Sequence, residues 1–72
     1  LQIDINAAYW PELALVPGVG EVLARRIVRH RETIGPFATL GELDEVKGIG
    51  PKVLGNIEPY VLPPRVNAVV GR

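Results

Sequence analysis

A short turn is written twice in this chain, as Val16-Pro17-Gly18-Val19-Gly20 and, thirty residues later, as Val46-Lys47-Gly48-Ile49-Gly50. The flanks repeat with it: Leu13 falls on Leu43, Leu23 on Val53 and Ile27 on Ile57. An internal repeat constrains the fold more than any local propensity does. Each copy must be one supersecondary unit, and the two must share a core.

In each copy an apolar residue ends a helix and the next residue leaves it. Two glycines then allow backbone angles that a side chain would forbid, or a close approach by another backbone or a ligand. The β-branched residue between them, Val19 or Ile49, is unsuited to positive φ. It is expected to keep ordinary angles and fill the core. A new helix starts directly after the second glycine. Its first amides lack intrahelical partners and carry the positive end of the helix dipole, which suits a phosphate.

Length and composition bound the rest. Seventy-two residues make one small domain. Cysteine is absent and His30 is the single histidine, so neither a disulfide nor a metal site is expected. No apolar run approaches the ~20 residues of a membrane span, and no signal peptide is visible. The chain begins at Leu1 rather than Met. It reads as a piece of something longer, with any anchor outside it. Net charge is zero, from eight basic and eight acidic residues, which argues against a strongly basic nucleic-acid domain but not against a local patch.

In order, residues 1–6 read as an extended lead-in with Ile3 and Ile5 on one side. A first helix is expected over about Trp10 to Val16, opened by Pro11 and stopped by Pro17. The second runs over Glu21 to Thr33, with Leu23, Ala24, Ile27, Val28 and Ile34 on one stripe. Arg25, Arg26 and Arg29 lie on the other face; Arg31 falls among the apolar positions and is expected to bond a carboxylate or loop carbonyls. Gly35-Pro36 stops that helix, and Phe37 is a core candidate. Thr39 and Glu42 have capping-box spacing for a third helix ending near Val46. Pro51 opens a fourth, expected to be short because Glu58 precedes Pro59 and is pushed out of the helical region. Tyr60 and Val61 are expected to fold back on the core. The fold is then all-α, one domain over residues 1–62 with motif one at 10–34 and motif two at 39–58, and an unstructured tail over 63–72.

No catalytic constellation is visible. Asp44 and Glu45 are adjacent and so point different ways on a helix, His30 reads as a rim residue, and there is no serine. The chain is not expected to be an enzyme, to hold a cofactor or to take a small-molecule substrate. Either turn alone is also a plain corner between helices. Two copies, each feeding a helix start, favour two anion sites related by a pseudo-two-fold, and double-stranded DNA offers two phosphate rows to such a pair. The copies differ. Lys47 precedes the second turn and Lys52 sits in the helical turn after it, whereas Glu21 and Val22 occupy the matching places in the first. The arginines of the second helix read either as charge for DNA or as a solvated face.

These residues resemble the helix-hairpin-helix family, most closely the tandem form of the ComEA-type competence DNA receptors. The likeness runs from about Ile5 to Val61. It rests on Ile5-Asn6, Leu13, both turns, Ala24, Ile27, Arg31, Gly35-Pro36-Phe37, Leu43, Pro51-Lys52 and Pro59-Tyr60. The resemblance implies two hairpin motifs in one compact four-helix domain, with a SAM-like or RuvA C-terminal-type arrangement as the alternative. It also implies sequence-nonspecific binding of double-stranded DNA through Gly18, Val19, Gly20, Gly48, Ile49, Gly50 and Lys52, with Arg25, Arg26 and Lys47 placed beside them. An extracytoplasmic, membrane-anchored setting in DNA uptake would follow, any anchor lying outside this sequence. Tyr9-Trp10-Pro11 stands where the family has a polar cap. The alternatives are a protein-binding or structural module without DNA, and a DNA-targeting domain of a larger DNA-repair or processing protein.

Overall fold

The computed structural model describes residues 2–62; the tail expected over 63–72 lies outside them. The described chain is helical: α1 (Trp10–Ala14), α2 (Gly20–Thr33), a 3-10 helix Leu40–Glu45, α3 (Pro51–Ile57) and a closing 3-10 turn Glu58–Tyr60. The repeat is visible in the core. Leu13, Val16, Val19 and Ile27 are buried, and so are their counterparts Leu43, Val46, Ile49 and Ile57.

The segment expected as a third helix is a 3-10 helix. Leu40, Leu43 and Val46 recur every third residue, which is the period at which 3-10 side chains eclipse and face one way. Its start is capped as expected at Thr39, whose Oγ1 accepts from Glu42 N at 3.3 Å. The Glu42 carboxylate reaches one residue further back than a capping box would take it, accepting from Ala38 N at 2.9 Å. Two single residues also depart from expectation. Ile34 was expected on the inward stripe, yet it is 72% exposed. The helix ends at Thr33, and both Ile34 N and Gly35 N turn back onto the His30 carbonyl, so the last position leaves the core. Phe37 returns in its stead, 1% exposed and stacked on His30 with ring centroids 4.6 Å apart. Glu58, expected outside the helical region because it precedes Pro59, is helical at φ −47°, ψ −43°. It opens the closing 3-10 turn, where Pro59 in the first turn loses no helical hydrogen bond by lacking an N–H.

The lead-in is bound at several points. Ile3 N donates to Tyr60 O and Leu62 N donates to Ile3 O, both at 2.9 Å, forming a lone parallel bridge between Ile3 and Val61. Arg31 Nη1 donates to Ile5 O at 2.9 Å, the loop-carbonyl role expected of it. Asn6 uses both ends of its amide on one residue: Oδ1 accepts from Phe37 N at 2.8 Å and Nδ2 donates to Phe37 O at 2.9 Å. One side chain thus satisfies the whole backbone polarity of a residue whose ring is in the core.

The glycines of the two turns differ in what they require. Gly18, Gly20 and Gly48 take φ of 92°, 69° and 97°. Gly50, expected to match Gly20, is extended at φ −103°, ψ −173°, where any residue is comfortable. A Cβ at Gly48 would lie 2.7 Å from Leu23 Cδ2 and 3.0 Å from Arg26 Nη1, whereas one at Gly50 would meet nothing within 4 Å.

Two stability outcomes are expected in urea unfolding. Asn6→Ala should cost about 2–4 kcal/mol, since it strands a part-buried N–H and C=O together; a loss under about 0.5 kcal/mol would show that water replaces both contacts. Gly48→Ala should cost about 1–3 kcal/mol from its forced positive φ and crowding. Gly50→Ala should stay within about 0.5 kcal/mol. Equal losses at the two glycines would refute the assigned asymmetry.

Candidate nucleic-acid interface

The repeat is also a repeat of hydrogen bonds. Val16 N donates to Leu13 O and Val46 N to Leu43 O, at 3.1 and 3.0 Å; Val19 N donates to Val16 O and Ile49 N to Val46 O, both at 3.0 Å. These bonds draw Val19 and Ile49 inward, to 7% and 3% exposure. Both fill the turns from within and offer neither a side chain nor a free amide outside. The N–H groups of Gly18, Gly20 and Glu21, and of Gly48, Gly50 and Lys52, find no acceptor among the described residues. Gly18, Gly20, Glu21, Gly48 and Lys52 are exposed. Each turn therefore presents unpaired donors to solvent.

The charged side chains divide by what already holds them. Lys47 and Lys52 are exposed and form no ion pair or side-chain hydrogen bond among the described residues. Arg26, by contrast, crosses from α2 to the second turn, where its Nη1 donates to Lys47 O at 2.8 Å. Arg25 Nε bonds Glu21 Oε2 at 2.9 Å, and its guanidinium lies 4.1 Å from the centre of the Trp10 ring. The ion pair is exposed and contributes only about 0.3–0.5 kcal/mol; the ring contact adds about 0.5–1 kcal/mol. Glu21 and Arg25 thus largely cancel beside the first turn, and the free positive charge gathers at the second.

Beside it opens a cleft lined by Arg26, Arg29, His30, Thr33, Glu45 and Lys47. His30 is more covered than a rim residue. Its Nε2 stands 3.6 Å from Glu45 Oε1, and neither ring nitrogen has a hydrogen-bond partner among the described residues. Trp10, expected at the start of the first helix and in place of a polar cap, is also the plate under Arg25. No local pattern announces a contact between residues fifteen apart on separate helices.

Comparison with known proteins bears on this geometry. The family described as helix-hairpin-helix motif matches residues 1–62. The chain is 39% identical over 57 residues to the endonuclease/exonuclease/phosphatase family domain-containing protein 1 of Homo sapiens, covering 79% of this chain and 10% of that protein. It is 38% identical over 59 residues to ComE operon protein 1 of Bacillus subtilis (strain 168), covering 82% of this chain and 29% of that protein. The chain thus spans about a tenth of the first relative and under a third of the second. With both hairpins in place and the match running across them, the chain belongs to the helix-hairpin-helix family.

Proposed function

We propose that this domain, residues 1–62, binds double-stranded DNA through its backbone phosphates and without sequence preference, acting by binding rather than catalysis. The observation that carries the reading is the pair of exposed turns with unpaired amide donors. Membership of the helix-hairpin-helix family supports it. The second turn is the stronger contact, because Lys47 and Lys52 flank it without competing partners among the described residues. Gly48 and Gly50 supply backbone donors there, and Gly18 and Gly20 do so at the first turn, with Val19 and Ile49 holding the turns in shape. Arg25 adds its charge at the rim while tied to Glu21. No helix stands out as a major-groove reader, so the contacts position without specifying.

The likeness to ComE operon protein 1 supports a place in DNA uptake, with extracytoplasmic, membrane-anchored display if the whole protein is of the ComEA type. The second reading is a DNA-targeting module within a larger DNA-processing protein. It is favoured by the match to a tenth of an endonuclease/exonuclease/phosphatase family domain-containing protein.

Two turns hold few phosphates. With about two to four neutralised, log K should fall against log salt with a slope of roughly −2 to −4, at ~0.9 per phosphate. Fluorescence titration of two unrelated duplexes of equal length at three salt concentrations should give affinities within a few-fold of each other, on the order of 10⁻⁴ to 10⁻⁶ M near physiological salt. A strong preference for one duplex rules out pure backbone binding, and no binding at low salt favours a protein-binding or structural module. Lys52→Glu should weaken binding more than Arg29→Glu. Glu21→Lys should strengthen it, by removing a carboxylate from the first turn and releasing Arg25.

A further inference from the structure

We propose that Arg26 is a positioning residue for DNA binding: it holds the second turn in its presenting conformation from the opposite helix, rather than contacting a phosphate itself. The proposal rests on the DNA reading above and assigns Arg26 a role distinct from the flanking lysines.

Three observations converge on it. The Arg26 Nη1 donates to Lys47 O at 2.8 Å, across 21 residues of sequence. All peptide bonds described are trans, so the carbonyl of Lys47 and the N–H of Gly48, which belong to one planar unit, point in opposite directions. A guanidinium holding the carbonyl against α2 therefore fixes the Gly48 N–H outward, and that N–H is one of the turn's unpaired donors. The same nitrogen also stands 3.0 Å from where a Gly48 Cβ would be, so the absence of a side chain at Gly48 makes room for the contact.

The repeat supplies a comparison within the molecule. Thirty residues after Arg26 stands Asn56, and the atom nearest a hypothetical Gly18 Cβ is Asn56 Cβ, at 4.0 Å. The two helices thus approach each other's turns reciprocally. Asn56 makes no hydrogen bond to the first turn among the described residues, whereas the longer, charged Arg26 does so at the second. A charge-assisted bond is about twice as strong as a neutral one. The strut is therefore one-sided, and it serves the turn that carries Lys47 and Lys52.

The test uses the 72-residue chain with Arg26→Gln and Arg26→Lys. Without DNA, the amide order parameter of Gly48 should fall in Arg26→Gln from the rigid value of about 0.85 toward about 0.6. Gly18 and the core amides should be unmoved, and Arg26→Lys should restore most of the order. With a 20-base-pair duplex, Arg26→Gln should lower affinity about five- to tenfold while leaving the slope of log K against log salt unchanged, and Arg26→Lys should recover most of the loss. A slope shallower by about 0.9 with an unmoved Gly48 amide would show a direct phosphate contact and overturn the proposal. A lowered melting temperature with affinity and Gly48 order unchanged would leave Arg26 a purely structural residue, which also overturns it. If the parent chain binds no duplex at low salt, the DNA reading itself fails, and Gly48 order alone still decides whether Arg26 holds the turn.

Discussion

How near α2 can come to the second turn decides much of this domain. A missing side chain at Gly48 lets Leu23 and Arg26 lie where a Cβ would stand 2.7 and 3.0 Å from them. With that approach permitted, Leu23 packs against the shared core and Arg26 meets a backbone carbonyl. The two motifs then face each other as halves of one structure. Without it, the second turn would be a loop on a separate pair of short helices, and neither motif is large enough to bury its own apolar face. A positive φ of 97° makes the same position costly for other residues, so geometry and packing place one demand on one atom.

Much of this was legible in the sequence because it is periodic. Spacing alone brings out the apolar positions of both copies, from Leu13 and Leu43 to Ile27 and Ile57; all are buried except the half-buried pair Leu23 and Val53. The β-branched plugs Val19 and Ile49 follow from steric reasoning about glycine-flanked turns. The all-α class and the family followed from the same pattern. What escaped was most of what depends on partners distant in sequence, the loop-carbonyl role of Arg31 being the exception. Asn6 carries no signal that its amide will serve Phe37. Arg25 and Arg26 look alike beside each other on α2, yet one is turned toward Glu21 and Trp10 and the other toward Lys47. Ile34 kept the helical period but lost the helix, which ended one residue earlier. The 3-10 form of Leu40–Glu45 was present in the three-residue spacing, though that spacing also fits one turn of an α-helix.

Zero net charge is a poor guide to what the surface offers. Among the basic residues of the described chain, Arg31 holds the lead-in and Arg25 is matched by Glu21, while Lys47 and Lys52 stay without partners there. Several acidic groups serve as caps or pairs: Glu12 accepts from Tyr9 N, Glu42 from Ala38 N, and Glu45 stands over His30. A neutral total thus conceals a local excess of positive charge at one turn. Screening is strong beyond about 8–10 Å at ordinary ionic strength, so a small ligand at that turn is governed by the local excess rather than by the sum.

The bridge between Ile3 and Val61 has a mechanical meaning. Its two hydrogen bonds, Ile3 N to Tyr60 O and Leu62 N to Ile3 O, bring the first and last described stretches side by side. A chain that continued on either side would come in and leave at nearly one point. The domain can then hang from a longer polypeptide as a closed bead, and insertion into a host loop would not force the host apart. Pulling on such a bead from both sides would load that clasp first. Ile3 and Val61, both buried, would be drawn from the core before either hairpin felt the force. In any longer chain, the turns would thereby be shielded from tension.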